Sequence, residues 1–346
     1  MTRFFAIAIL SLATCMDSVR GDPENSPTIR VAVLRDCRSL DEALKIVLER
    51  EYQGTIRIIK TKANTYTAIN ILDIEDYLLN VIGREISPTS PLEALKAQAI
   101  AARSHALHEA SVSENQSYDL VANISQAYFG REKLHKNVVL AIEATRGQVL
   151  YFQGKPIPAF FHSSCGGHTE TASNVWQSLI LTRSGVPVKF PGAVYCSACA
   201  KSEETKWKFE ISVATLQRIF QRYGYKVGAS PSITIAQKAV GGHAITVAIR
   251  SETGEFILSA EKLRSILGYS SLKSTLFQVS RESLPNNTPG DTLLFTGGGY
   301  GHGVGLCQYG AQVMAEHGSS CNAILAHYFP DCRVQSHPTD TLVSSR

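Results

Sequence analysis

The residue best suited to acid–base chemistry is Glu85, which follows a helix-forming segment and precedes a Pro/Ser-rich turn. Asp73 can cap that helix, apolar residues recur at helical spacing from Ile74 to Ile82, and the helix is predicted to end near Gly83 or Arg84. A carboxylate just beyond a helix C-terminus meets the negative end of the helix dipole, and packing against an apolar neighbour desolvates it. Both effects raise the pKa and favour the protonated form that a general acid requires. The alternative is a solvated loop glutamate.

A second helix is predicted from Pro91 to His108, with Ser90 as its cap and Glu93 completing a capping box. Alanine and leucine cover most of its circumference, so we expect it to be buried. Arg103 lies among the alanines, and an unpaired buried charge is costly. It therefore either pairs with an acid such as Glu93 or Asp76, or donates to a ligand or to Glu85.

The cysteines indicate a metal site. The chain has 8 cysteines, and three of them lie with a histidine in the segments Cys165-Gly-Gly-His168 and Cys196-Ser-Ala-Cys199. This spacing suits tetrahedral zinc, and four protein ligands would leave no open position, so the metal would be structural. His162 is an alternative ligand that would leave the site less closed. Disulfides are the competing interpretation for an exported chain.

Besides Cys15, four further cysteines lie outside this group. Cys321 and Cys332 flank the last predicted helix and could pair in an oxidising compartment, whereas Cys37 and Cys307 have no assignment.

Residues 297–305 are dense in glycine and contain one side chain that titrates near neutral pH, His302. Closely spaced glycines allow the backbone to approach a ligand, and the missing Walker lysine excludes a phosphate loop. His302 could position a sugar, polarise an oxygen or bond to Glu85; otherwise it is a structural histidine. Trp176 offers an apolar face for a sugar, although a lone aromatic more often belongs to a core. A helix is predicted from Gln308 to His317.

Residues 1–21 have the pattern of an export signal, with Arg3 before the short apolar run Phe4–Ala13. Cleavage near Gly21 and a lipoprotein site at Cys15 are both consistent with it. We therefore expect an exported protein of the periplasm or cell envelope that meets a membrane only through this signal or an N-terminal lipid. The net charge of +4 suits an anionic polymer, and the lack of a dense basic patch argues against nucleic acid.

Helical and alternating patterns together predict an α+β fold, in which the two-helix segment packs with mixed or antiparallel strands. Residues 22–70 form an N-terminal strand and helix region. A tight turn at 153–156 predicts a hairpin, and residues 201–290 read as an inserted subdomain. The strands are predicted at 28–34, 55–60, 65–71, 148–152, 157–161, 207–212, 232–236, 244–250, 255–259, 277–280 and 292–295, and the other helices at 41–51, 132–145, 213–223 and 259–268.

Three segments in the same order resemble the stage II sporulation protein D family, also called the SpoIID/LytB domain. They are YLLNVIGREISPTSPLEALKAQAIAARSHAL at 77–107, FFHSSCGGHTETASNVW at 160–176 and GGGYGHGVGLCQYGAQVMAEHG at 297–318. The resemblance implies a catalytic domain over 71–335, matched only loosely across 201–290, followed by a tail at 336–346. It also implies zinc near the cysteine segments, as in some family members.

The resemblance further implies a lytic transglycosylase of peptidoglycan, with Glu85 at the position of the catalytic glutamate. Such an enzyme cleaves the bond between N-acetylmuramic acid and N-acetylglucosamine and leaves a 1,6-anhydro end. A single acid suits this reaction, whereas ordinary glycosidases use two carboxylates. The substrate would be glycan strands, possibly preferred when denuded of stem peptides, as for related sporulation enzymes. The candidate substrate-binding residues are Gln98, Arg103, His302, Gln308 and Tyr309.

Two alternatives remain open. LytB-type relatives are regarded as amidase modifiers, so the chain could be a non-catalytic wall-binding module with a cell-wall amidase as its partner. A zinc hydrolase with metal-activated water is the other, and it requires an open coordination position.

Overall fold

The structure is a computed structural model that describes residues 8–11 (backbone only), 26–113, 115, 117–122, 126–130, 133–176, 193–282 and 291–337. The chain divides into two compact units. The first comprises residues 1–159, 320–322 and 332–346, and the second comprises 160–319 and 323–331. The unit boundary at residue 159 falls within the predicted 71–335 catalytic domain, whose limits stay a prediction.

Helices alternate with strands along the described residues, which confirms the α+β class. The elements are β1 (Ala8–Ser11), β2 (Thr28–Cys37), α1 (Leu40–Glu49), β3 (Thr55–Lys60), β4 (Tyr66–Asp73), α2 (Ile74–Glu85), α3 (Leu92–Val112), β5 (Leu120–Val121), α4 (Lys136–Ala144), β6 (Gln148–Phe152), β7 (Lys155–Pro156), β8 (Phe161–His162), α5 (Ala172–Val175), α6 (Ser197–Lys201), β9 (Lys206–Ser212), α7 (Val213–Arg222), β10 (Ser232–Lys238), β11 (Ala244–Ser251), β12 (Gly254–Ser259), α8 (Ala260–Leu267), β13 (Phe277–Glu282), β14 (Thr292–Gly298), β15 (Leu306–Cys307), α9 (Gln308–Glu316), α10 (Cys321–Tyr328) and β16 (Arg333–Ser336).

The first unit contains a mixed five-stranded sheet and a three-stranded antiparallel sheet. The larger sheet has the order β1-β3-β4-β2-β5, in which only the β2–β5 pair is parallel. The smaller has the order β16-β6-β7. Most residues of α3 are buried, as its all-round apolar pattern predicted. The predicted signal at 1–21 lies outside the described residues apart from β1.

The two helices that carry the candidate catalytic segment begin differently from one another. Asp73 caps α2 as predicted, because its side chain accepts a hydrogen bond from Glu75 N at 2.7 Å. The predicted capping box of α3 is wrong. Pro91 is the cap residue and makes no side-chain capping bond. Glu93 instead accepts hydrogen bonds from Lys96 Nζ and from the backbone N–H of Cys321, both at 2.7 Å.

The second unit contains two antiparallel three-stranded sheets and one short parallel pair. The sheets have the orders β10-β11-β12 and β13-β14-β9, and α7 and α8 pack with them around one apolar core. The parallel pair joins β15 to β8. This pair brings the C-terminal glycine-rich segment beside residues 160–170, because bridges also join Ser164 to Tyr300 and Glu170 to Val304. No helix among the described residues is both long and apolar enough to cross a bilayer.

Candidate active site and cysteine cluster

Glu85 is the last residue of α2, which therefore ends one or two residues later than the predicted end near Gly83 or Arg84. Its Oε1 accepts a hydrogen bond from the backbone N–H of Ala127 at 2.5 Å. Burial raises the pKa of Glu85, and the Ala127 hydrogen bond opposes this by stabilising the carboxylate. The raised pKa is the direction expected of a group that donates a proton near neutral pH.

The segment at residues 126–130, which we call the Glu85 loop, is fixed by contacts of three of its residues. Gln126 donates a hydrogen bond through Nε2 to the carbonyl of Ala102 on α3. Tyr128 is fully buried and donates through its hydroxyl to Asn70 Oδ1 at 2.5 Å. Gly130 has a φ of +98°, and a Cβ there would lie 2.3 Å from the Arg50 carbonyl oxygen. The sequence predicts irregular structure for residues 118–130, but no pattern in it predicts the contact of Ala127 with Glu85.

Arg103 is paired inside the first unit. It is 1 % exposed and forms a buried ion pair with Glu75, with Nε to Oε1 at 2.9 Å and Nη2 to Oε2 at 2.6 Å. Nη1 donates to the carbonyl of Gln148 at 3.1 Å. The contacts favour the internal salt bridge over the substrate contact for Arg103. Its partner is Glu75 and not Glu93 or Asp76, which the sequence suggested. Gln98 is also fully buried on α3.

In the second unit, His302 stands in a group of aromatic rings. Its ring centroid lies 4.8 Å from Trp176, 5.5 Å from His162 and 6.0 Å from Phe160. The backbone N–H of Val304 donates to His302 Nδ1 at 3.0 Å. Because Nδ1 is an acceptor there, the ring hydrogen of neutral His302 belongs on Nε2, which makes this atom a donor.

Gln308 and Tyr309 form the start of α9. Gln308 is buried, and its carbonyl accepts from Gln312 Nε2 at 3.2 Å. Tyr309 donates through its hydroxyl to Ser202 Oγ at 3.0 Å and through its backbone N–H to the carbonyl of Ser163 at 2.9 Å. Tyr309 thus joins α9 to two neighbouring segments, and sugar contacts from Gln308 or Tyr309 stay a prediction.

Four buried cysteines form a cluster in the second unit: Cys165, Cys196, Cys199 and Cys307. Their sulfur atoms all lie within 4.8 Å of one another, and those of Cys199 and Cys307 are 3.4 Å apart. A tetrahedron with zinc–sulfur bonds of about 2.3 Å has sulfur atoms about 3.8 Å apart. The donor set and its compactness therefore fit zinc.

The fourth member of the cluster corrects the sequence-based set, which had His168 in place of Cys307. His168 directs Nδ1 to the carbonyl of Thr169 at 2.7 Å. The alternative ligand His162 directs Nδ1 to the carbonyl of Val304 at 3.1 Å, and burial lowers its pKa to about 4. Cys307 joins the other three because β15 pairs in parallel with β8, which ends three residues before Cys165.

Backbone and hydroxyl groups support the cluster. Gly167 N–H donates to Cys165 Sγ at 3.4 Å, Gly310 N–H donates to Cys307 Sγ at 3.3 Å, and the Tyr328 hydroxyl lies 3.3 Å from Cys196 Sγ. Donors of this kind stabilise thiolates and orient them. A Cβ at Gly310 would lie 1.9 Å from the Tyr328 hydroxyl and 2.7 Å from Cys196 Sγ, so only glycine fits there.

Of the remaining described cysteines, Cys37 and Cys321 are buried and Cys332 is half-buried. The disulfide considered for Cys321 and Cys332 is not formed in this structure.

The first unit carries a half-buried carboxylate at the end of α2, and the second carries the four-cysteine cluster and the glycine-rich segment with His302. Comparisons with known proteins agree with the sequence segments. Residues 62–152 match the model of the "Stage II sporulation protein" family, and residues 197–305 match a domain of unknown function, DUF8618. The first match includes Glu85, and the second includes all of residues 201–290, the predicted inserted region.

Whole-chain relatives extend this match. An uncharacterized protein of Brachyspira hyodysenteriae is 32 % identical over 81 % of this chain and 71 % of its own length. Stage II sporulation protein D of Bacillus subtilis is 28 % identical over 77 % of this chain and 76 % of its own. The amidase enhancer of Bacillus subtilis is 25 % identical over 75 % of this chain but 40 % of its own. The chain belongs to the stage II sporulation protein D family.

Proposed function

We propose that this chain acts at the cell wall as a lytic transglycosylase of peptidoglycan, with Glu85 as its single acid–base residue. The observation that carries the proposal is the environment of Glu85, in which burial at the end of α2 raises the pKa. Family membership supports a function related to the cell wall. A single carboxyl group that keeps its proton supports lytic transglycosylation in particular, because this reaction needs only one acid–base residue.

In the proposed reaction, protonated Glu85 donates its proton to the oxygen of the glycosidic bond on the reducing side of N-acetylmuramic acid. The bond between that oxygen and carbon 1 breaks. The 6-hydroxyl oxygen of the same sugar attacks carbon 1, and the Glu85 carboxylate accepts the hydroxyl proton. The product is a 1,6-anhydro ring and a new free hydroxyl on the leaving sugar. Water is not consumed, and Glu85 ends protonated as it began.

The test is mass spectrometry of soluble products from the purified mature chain, given peptide-bearing and denuded glycan strands. We expect products that end in 1,6-anhydro-N-acetylmuramic acid with the wild type and none with Glu85→Gln. Gln keeps the acceptor for Ala127 N–H, so the variant should fold. Ordinary reducing ends would refute transglycosylation, and full activity of the variant would refute the role of Glu85.

A second function is favoured by the amidase enhancer relative. In that case the chain binds glycan and stimulates a cell-wall amidase without cutting the strand. The same experiment separates the two, because an enhancer releases no fragments yet sediments with insoluble glycan. A purified amidase would then gain activity with both the wild type and Glu85→Gln.

We also propose that Cys165, Cys196, Cys199 and Cys307 hold a structural zinc ion. Four thiolates complete a tetrahedral shell, so this site suits a folding role rather than activation of water. Zinc there would tie α6 and the start of α9 to the loop after β8. We expect about one zinc per chain by elemental analysis, loss of it in Cys307→Ser, and retention of it in His168→Gln. Loss of zinc in His168→Gln but not in Cys307→Ser would contradict this ligand set.

The proposed substrate agrees with an exported protein that works in the periplasm or cell envelope. Fractionation of cells that produce the full chain, with antibody detection, tests this placement. Recovery mainly with cytosolic markers would contradict it.

A further inference from the structure

The contact between the Glu85 loop and Glu85 distinguishes the two oxygen atoms of the carboxyl group. The backbone N–H of Ala127 donates to Oε1 at 2.5 Å. In a protonated carboxyl group the carbonyl oxygen is the better acceptor, and the other oxygen carries the proton. The proton of Glu85 therefore belongs on Oε2 while this hydrogen bond is made.

The same hydrogen bond acts differently on the two protonation states of Glu85. A bond from an N–H group to a carboxylate is charge-assisted and about twice as strong as one between neutral groups. Accordingly, the Ala127 N–H lowers the pKa of Glu85, against the larger effect of burial, which raises it. In the proposed reaction Glu85 first loses its proton and later regains one. The hydrogen bond is therefore strongest between these two proton transfers.

Burial and the Ala127 N–H are the two causes of the displaced pKa of Glu85. The charge of Glu85 in turn helps to raise the pKa of Tyr77, a buried residue of α2, and burial raises the pKa of Tyr128. Both phenols are thus neutral where a carboxyl group titrates. Other ionisable groups on the two helices include Arg84 on α2 and, on α3, Arg103, which pairs with Glu75, and the buried histidines His105 and His108.

The residue after Ala127 fixes the position of its N–H group. Tyr128 is fully buried and donates through its hydroxyl to Asn70 Oδ1 at 2.5 Å. Asn70 is fully buried on β4, and its Nδ2 donates to the carbonyl of Gln53 at 2.7 Å, which directs Oδ1 to Tyr128. The Tyr128 ring centroid also lies 5.0 Å from that of Tyr77. A shift of Ala127 would therefore disturb a hydrogen bond to the central sheet and a packed ring.

We propose that Ala127 and Tyr128 are positioning residues for Glu85: the Ala127 N–H keeps the transferable proton on Oε2 and stabilises the carboxylate between its two proton transfers, and the bond of Tyr128 to Asn70 holds that N–H in place. This inference rests on the proposed function. It adds a stabilising donor to the single acid–base residue without adding a second acid. A donor that is already oriented needs no reorganisation when the charge forms.

The direct test removes the N–H group alone. Ala127 is replaced by lactic acid through stop-codon suppression in the full mature chain, which turns the N–H into an ester oxygen and keeps the methyl group. Alanine inserted by the same route is the control. The pKa of Glu85 is measured from the ¹³C NMR signal of its carboxyl carbon, assigned by its absence in Glu85→Gln. Thermal unfolding establishes that each protein is folded.

We expect the ester to raise the pKa of Glu85, because the carboxylate loses its donor while burial remains. Glu85 must be protonated to act, so the alkaline limb of the kcat/KM profile should move to higher pH. The maximal kcat should fall roughly tenfold, the size of one lost hydrogen bond to a charged group. A site that merely loosened would admit water to Glu85 and move both the pKa and the alkaline limb downward.

A pair of tyrosine variants tests the support of the loop. In the wild type the amide NMR signal of Ala127 should move as Glu85 titrates, because the two groups share a hydrogen bond. In Tyr128→Phe this movement should shrink, and the Ala127 amide should exchange with solvent roughly tenfold faster. Tyr52→Phe is the matched control. The Tyr52 ring lies 5.7 Å from that of Tyr128, and its loss of a hydroxyl leaves the bond of Tyr128 to Asn70 intact.

Three results would overturn the positioning role. They are an unchanged or lower pKa of Glu85 in the ester, an Ala127 amide signal that does not follow the titration of Glu85, and equal effects of Tyr128→Phe and Tyr52→Phe. Failure of the proposed function is distinguishable from these results. The wild type would then release no 1,6-anhydro products, while the NMR titrations would still show the effect of the Ala127 N–H on Glu85.

Discussion

Replacement of Arg103 by methionine should destabilise the first unit strongly, because it removes one partner of a buried ion pair. Arg103 is 1 % exposed and Glu75 is 3 % exposed. Two hydrogen bonds join them, and a third runs from Arg103 to the carbonyl of Gln148. In Arg103→Met the Glu75 carboxylate keeps the N–H of Gly147, at 3.2 Å, and loses the cation that compensates its burial.

The expected cost is about 3–5 kcal/mol, the usual range when one partner of a buried pair is removed. For a domain of this size each kcal/mol lowers the melting temperature by about 2–4 °C, so the loss should be roughly 6–20 °C. The assay is thermal and urea unfolding of the mature chain, followed by far-UV circular dichroism. The matched control is Lys45→Met. Lys45 and Glu49 are 3.9 Å apart and mostly exposed, so that pair should contribute less than about 1 kcal/mol.

A double variant separates the desolvation penalty from the loss of contacts. Arg103→Met with Glu75→Leu removes both charges and leaves apolar groups of similar size, so most of the lost stability should return. A single variant that costs less than about 1 kcal/mol, or a double variant no more stable than the single one, would refute the reasoning. A stable double variant that no longer binds glycan would restore the substrate role for Arg103.

Two other perturbations test the site and the loop that carries His302. Because burial raises the pKa of Glu85, the folded chain binds the carboxyl proton more tightly than the unfolded chain does. The resulting stabilisation of the folded state is present below the ordinary glutamate pKa of 4.5 and is lost as the pH rises through the pKa of the folded chain. The melting temperature of Glu85→Gln relative to wild type should therefore rise between about pH 4 and pH 7, and a constant difference would contradict the raised pKa. Gly305→Ala should cost more than about 1–3 kcal/mol in urea unfolding, since Gly305 has a φ of +77° and its Cβ would lie 2.1 Å from the Phe160 carbonyl oxygen. Gly318 has a φ of +86° and open space around it, so Gly318→Ala should cost only about 1 kcal/mol. Equal losses of stability in the two variants would exclude a steric clash with the Phe160 carbonyl as the cause of the larger cost.

Local chemistry was sufficient to predict most elements and the start of α2. The strand Thr55–Lys60 has the predicted bounds, and the helix Val213–Arg222 ends one residue before the predicted end. Asp73 caps α2 because a side-chain oxygen two residues before Glu75 N is within reach in any such turn. The capping box at α3 failed because Glu93 binds Lys96 and Cys321 N instead. Cys321 lies far along the chain, and no local rule includes it.

The amino-acid sequence by itself determined the α+β class, the family, the burial of α3 and the position of Glu85 near a helix end, since each of these depends on periodicity or short motifs. The tertiary structure alone decided which groups meet. It gave Arg103 the partner Glu75 rather than its neighbour Asp76, because one residue turns a helix by about 100° and changes the facing side chain. It placed Cys307 with three cysteines more than one hundred residues earlier through the pairing of β15 with β8. It also brought Ala127 to Glu85. Such contacts depend on strand register and on the rotation of each helix about its axis, and periodic patterns in the sequence specify neither.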